Sequence, residues 1–92
     1  MLELKTTALY RKELKRAIRR GLNPDLLERL LEQLVAQQPL ARKYKDHALQ
    51  GEYVGTRECH IQPDWLLIYR VNQEQLILTL LRTGSHADLF DS

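Results

Sequence analysis

Cysteine is nearly absent from this chain: Cys59 stands alone among 92 residues. A lone thiol forms no internal disulfide and builds no thiol metal cage without a partner. Long hydrophobic runs are missing too, and none approaches the ~20 apolar residues that span a bilayer. The opening stretch, MLELKTTALY, carries Glu3 and Lys5 and lacks the apolar centre of a secretion signal. The expected setting is therefore the cytoplasm, with no membrane partner. The few glycines form no glycine-rich phosphate loop, and nucleotide fingerprints and serine-nucleophile motifs are also absent. What remains is an ordinary globular composition, 43% hydrophobic, which is too apolar for disorder. At this length one domain spanning 1–92 is expected. Its core should be thin, and its site should be shallow and at the surface.

Net charge is small, +2, but the charges are unevenly placed. After position 50 the only basic residues are Arg57, Arg70 and Arg82, so the first half is strongly basic. Arg11, Lys12, Lys15, Arg16, Arg19 and Arg20 form one dense stretch opposed only by Glu13. Such a patch attracts polyanions, although a solvated helix face has the same composition.

Hydrophobic spacing gives the element order. Leu2 and Leu4 alternate with Glu3 and Lys5, the period of a short strand over 2–5. Tyr10, Leu14, Ala17 and Ile18 then make an apolar stripe at helical spacing. That helix is capped by Thr6 or Thr7 and closed by Gly21. Asn23, Pro24 and Asp25 open a second helix with stripe Leu27, Leu30, Leu31, Leu34 and Val35, and Pro39 ends it. A polar, irregular loop from Ala41 leads to three strands at about 53–61, 65–71 and 75–82, with turns at Pro63–Asp64 and Asn72–Glu74. Ser85 and Asp88 resemble a capping box that opens a terminal helical turn. The pattern predicts an α+β domain, β-α-α-β-β-β, with a helical hairpin on one face of an antiparallel-rich sheet and the other face free for a site.

All three histidines, His47, His60 and His86, lie in the second half. Each has a bland reading. His60 alternates in phase with Glu58 and Thr56, a mixed face. Arg82 has Asp64 as a simple ion-pair partner, and Trp65 in an apolar strand suits a core. Together, however, strand ends and terminal turn bring His60, Asp64, Arg82 and His86 into one patch, with His47 arriving from the loop. Histidine acts as acid or base near neutral pH, and a fixed arginine stabilises charge growing on phosphoryl oxygens. This set suits cleavage of RNA through its 2′-hydroxyl. Trp65 and Phe90 flank the patch as candidate rings for base stacking. His86 and Arg82 are read as surface groups whose loss should cost little stability. A positive helix start beside His86 is expected to favour a phosphate. A metal site is the chemical rival, but no HxH, HxxxH or HExxH spacing occurs, so no metal or other cofactor is expected.

The stretches KDHALQG (45–51), CHIQPDWLLIYRV (59–71) and LLRTGSHADLF (80–90) resemble the YafQ branch of the RelE/ParE toxin superfamily. The resemblance covers nearly the whole chain. It implies a RelE-like fold and a toxin that cuts mRNA in the ribosomal A site without a metal. It also implies an antitoxin that blocks the site, with operator DNA bound only through that complex. By position it places the active-site set on His47, His60, Asp64, Arg82, His86 and Phe90. Lys12, Arg16, Arg19 and Arg20 would then grip ribosomal RNA. The non-enzymatic alternative is a ParE-like toxin that poisons a target such as gyrase by binding.

Overall fold

The computed structural model describes residues 1–90. Five strands form one sheet in the order β1-β5-β4-β3-β2. In chain order these are β1 (Glu3–Thr6), α1 (Ala8–Arg19), α2 (Pro24–Val35), β2 (His47–Ala48), β3 (Arg57–Gln62), β4 (Trp65–Asn72), β5 (Ile77–Gly84) and α3 (His86–Phe90). The α+β architecture and the helical hairpin are as the sequence predicts. Strand β1 pairs parallel to β5, and the remaining neighbours are antiparallel.

Local chemistry sets the ends of the helices. Thr7 accepts the Tyr10 N–H to start α1, and Asn23 accepts the Asp25 N–H to start α2. At the end of α1, Gly21 adopts φ 93°, its N–H reaches the Ile18 carbonyl, and the Leu22 N–H reaches that of Ala17. This is a Schellman closure, with Leu22 packed back against the core. The buried stripe of α1 differs from expectation. Tyr10, Glu13 and Ala17 are buried, Leu14 is half-buried, and Ile18 is exposed. Spacing i, i+3, i+4, i+7 keeps one narrow face on the sheet, and Ile18 falls outside it.

The main core lies between the hairpin and one sheet face. Tyr10, Ala17, Leu27, Leu30 and Leu34 meet Cys59, Ile61, Trp65, Leu67, Tyr69, Leu78 and Leu80. The second face, expected to be free, is partly covered. Leu66, Ile68 and Leu89 form a small second cluster with Leu49, Tyr53 and Leu81, roofed by α3 and the 49–53 segment. The polar loop also does more than expected, because His47 and Ala48 pair with Glu58 and Arg57 as β2. Conversely, residues 53–56 precede β3 rather than joining it.

A register shift fixes the polarity of β5. Ile68 faces Arg82, whereas its neighbour Tyr69 faces Leu80, so Leu81 is the extra residue of a bulge. A strand flips every side chain when its register moves by one. Leu78 and Leu80 face the helices, and without the bulge Arg82 would follow them. With it, Arg82 comes into line with Ile68 and Glu58 on the second face.

Candidate active site

Across the second face a row runs His47, Glu58, Ile68, Arg82, and the next row runs His60, Leu66, Gly84. The pairing of strands thus brings distant residues together, and α3 adds His86 from above. The ring centroids of His47 and His60 are 6.4 Å apart, and those of His60 and His86 are 5.5 Å apart. The three histidines therefore converge, with His60 next to both of the others.

Each ring is oriented through Nδ1. In His47 it bonds the Lys45 carbonyl at 2.7 Å, and in His60 it lies 3.3 Å from the Pro63 carbonyl. In His86 it lies 2.6 Å from Asp64 Oδ1, which also accepts the His86 backbone N–H at 2.9 Å. Carbonyl and carboxylate oxygens only accept, so each Nδ1 carries the proton and donates it. Every Nε2 is thereby left facing outward or toward Glu58. Those two hydrogen bonds from His86, the backbone one foremost, hold the Asp64 carboxyl below its ordinary range. Asp64 thus already occupies the helix start that was expected to receive phosphate.

Sequence reading missed Glu58, which it took only as part of a mixed face. The side chain is buried, and its Oε1 stands 3.5 Å from Nε2 of both His47 and His60. Its Oε2 has no hydrogen-bond partner among the described residues. The alternation with His60 was the available signal; its burial was not readable, because it depends on β2 and β4 flanking β3 on both sides. Asp46 was missed as well. It accepts from Arg57 and from the Tyr69 hydroxyl, pinning the segment that carries His47. Cys59 points to the opposite face, where burial pushes its thiol well up and keeps it inert.

Arg82 does not pair with Asp64. Its Nε and Nη2 grip both oxygens of Glu13 at 3.2 and 2.6 Å, and its Nη1 donates to the Tyr53 hydroxyl at 3.1 Å. The Glu13 bonds, foremost, raise the Arg82 pKa far above an ordinary guanidinium. Strand β1 ends at Thr6, opposite Leu80, so beyond that point β5 is paired with β4 alone and its other edge has no strand neighbour. Glu13 covers this edge by also accepting the Thr83 N–H at 3.3 Å. The expectation that Arg82 is a loosely held surface group is corrected: it belongs to a half-buried ion pair.

Trp65 also departs from expectation. Its ring is buried against the helical hairpin, and Nε1 donates to Thr83 Oγ1 at 2.9 Å. Odd positions of β4 face the helices, so this ring cannot meet a base. Phe90, in contrast, is exposed and stands edge-on to Tyr53 with centroids 5.9 Å apart. Arg20 caps the C-terminus of α1 and pairs with Asp88 at 2.7 Å, which ties its charge to α3. Lys12, Arg16 and Arg19 do line a common surface, a groove of about 440 Å³ that reaches Arg82. Among the described residues no group of three or more His, Cys, Asp or Glu could hold a metal ion.

The architecture is a helix-backed sheet with a histidine cluster on its opposite face. A family model described as bacterial toxin of type II toxin-antitoxin system, YafQ, matches residues 2–91. The chain belongs to that family. An mRNA interferase toxin YafQ of Escherichia coli (strain K12) is 38% identical over 89 residues, 96% of this chain and 95% of that protein. The metal-bound toxin from Helicobacter pylori superposes with a TM-score of 0.92 at 42% identity, covering 98% of this chain and 100% of the other. The E. coli DinJ-YafQ complex gives 0.88 at 35% identity, covering 98% and 99%.

Proposed function

We propose that this protein is an endoribonuclease that cuts ribosome-bound mRNA in the cytoplasm and is held inactive by a cognate antitoxin. One observation carries the reading: three converging imidazoles, each oriented through Nδ1 and one of them held by Asp64, with Arg82 in the same cross-strand row as His47. The relatives named as mRNA interferases, and the solved DinJ-YafQ complex, support it.

The chemistry is balanced by two of the rings. A neutral Nε2 takes the proton from the ribose 2′-hydroxyl, and the 2′-oxygen attacks phosphorus. The bond from phosphorus to the 5′-oxygen breaks, and a protonated ring donates to that oxygen. The products are a 2′,3′-cyclic phosphate and a 5′-hydroxyl. His86, oriented by Asp64, fills one role, and His47 or His60 the other. A protonated ring at either of the latter two positions pairs with Glu58. Each role contributes roughly 10²–10⁴-fold. Arg82 retains N–H groups not used by Glu13 or Tyr53, and these stabilise the charge on the phosphoryl oxygens. Phe90 stacks on a base, and Lys12, Arg16 and Arg19 hold ribosomal RNA. Operator DNA is met only through the antitoxin complex. No metal is required.

The test is mRNA cleavage with and without ribosomes, with the ends identified by mass spectrometry. The expected result is a cyclic phosphate end, fast cutting only on ribosomes, and no loss with added chelator. Equal cutting of free mRNA would remove the ribosome from the reading. The chelator is one selective for transition metals, which leaves the ribosomes their magnesium, and loss of cutting in it would assign the chemistry to a metal.

A further inference from the structure

A groove lies outside the row of histidines, with His60 shared between the two. It has a volume of about 830 Å³ and runs from His60 and Pro63, past the 42–45 segment, to the exposed side of α2. We propose that this groove is a second RNA subsite, which holds the nucleotides next to the scissile bond as the strand leaves the histidines. The proposal rests on the ribonuclease reading and deepens it.

Three features point to a nucleic acid strand. The first is charge: Arg29, Lys43 and Lys45 line the groove against one carboxylate, Glu32. Among the described residues no ion pair engages these three cations. The second is the amides. Gln33 and Gln62 carry both donors and acceptors, which suits the edges of unpaired bases. The third is continuity, because His60 lines the groove and also belongs to the imidazole row. The volume falls within the range of pockets that take a drug-sized ligand, room for roughly two nucleotides. An acidic peptide is the competing occupant. It would use the cations, but it has no need of a groove that is continuous with the histidines.

The experiment uses the whole protein and a single-stranded hexanucleotide methylated at every 2′-oxygen, so that it binds without being cut. In an NMR titration the Gln33 and Gln62 side-chain amides should shift together with the Tyr44 ring. The R29E/K43E variant should bind about tenfold more weakly at low salt. Its salt slope should fall by about 1.4, two lost phosphate contacts at ~0.7 each on single strands. Both positions are exposed, so matching thermal melts will show the fold intact. Gln62→Ala, which leaves charge unchanged, should weaken binding without altering the slope. Shifts confined to His47, His60, His86 and Phe90, with normal binding by R29E/K43E, would overturn the subsite. So would groove shifts seen only with an acidic peptide. Wild-type cleavage on ribosomes is measured alongside. Cutting that is indifferent to the groove variants removes the subsite alone, whereas no cutting at all removes the ribonuclease reading.

Discussion

His86 and Arg82 belong to the same proposed site, yet their removal should have opposite physical signatures. His86 is largely exposed, and its partner Asp64 returns to water when the ring is gone. His86→Ala should therefore change stability by no more than about 0.5 kcal/mol. Its single-turnover cleavage should fall roughly 10²-fold or more. Arg82→Ala leaves the buried Glu13 without its partner, a loss of about 3 kcal/mol. For a domain of this size that lowers the midpoint by on the order of 10–20 °C. E13Q/R82M removes both charges and keeps an acceptor for the Thr83 N–H, so it should melt closer to wild type and still fail to cleave. Thermal melts beside cleavage rates separate these outcomes, and an Arg82→Ala protein that melts normally would contradict the ion-pair account. The three histidines, Asp64 and Arg82 were legible because strand ends and a terminal turn converge in an antiparallel sheet. Glu13 and Glu58 were not. A carboxylate inside a charged run looks solvated until the fold shows which edge it covers.

At the scale of elements, α3 is the device that carries two residues of the proposed site, His86 and Phe90. Its five residues cannot form a stable helix alone. Ser85 and Asp88 cap it reciprocally, and Arg20 clamps Asp88 from the end of α1. The Arg20 hydrogen bond, foremost, lowers the Asp88 pKa strongly. A depressed carboxylate stabilises the fold above its unfolded value, about 3.9, and loses that contribution as pH falls toward the folded value. Asp88→Asn should thus be less stable than wild type at neutral pH, with the gap closing below about pH 4. Acid titrations followed by circular dichroism will check this, and a gap that persists at low pH would refute it. Gly84 belongs to the same device, since a Cβ there would stand 2.9 Å from the Asp88 Cβ. Gly84→Ala should push Asp88 off its partners and lower cleavage through His86. The capping box, both helix starts and the strand at 65 were readable from side-chain chemistry within a few residues. The parallel β1–β5 pairing, the two-residue β2 and the bulge at Leu81 were not, because partners far along the chain determine them.

For the molecule as a whole, the sparse net charge conceals a one-sided field. Lys12, Arg16 and Arg19 line the groove that ends at Arg82, while Arg20 is drawn away to Asp88. Reversing the first three should weaken ribosome binding and flatten its salt dependence, since each lost phosphate contact removes part of the slope. Sedimentation with ribosomes at two ionic strengths will read this. A triple variant that binds normally at both would return α1 to a plain solvated face. The uneven charge was visible in the sequence, but which cations remain unpaired was not, because Asp88 lies far along the chain.

The pairing of Glu3–Thr6 with Ile77–Leu80 also governs how the protein is made. Strand β5 separates β1 from the rest of the sheet, so the first strand has no neighbour until residues 77–84 have been synthesised. A chain cut short before them holds His47 and His60 but neither Arg82 nor His86, and its hairpin keeps an uncovered apolar stripe. If the protein destroys the message that encodes it, the fragments are inert and open to proteolysis. Under the ribonuclease reading, activity thus begins only once β5 and α3 have been synthesised and β5 has paired with β1.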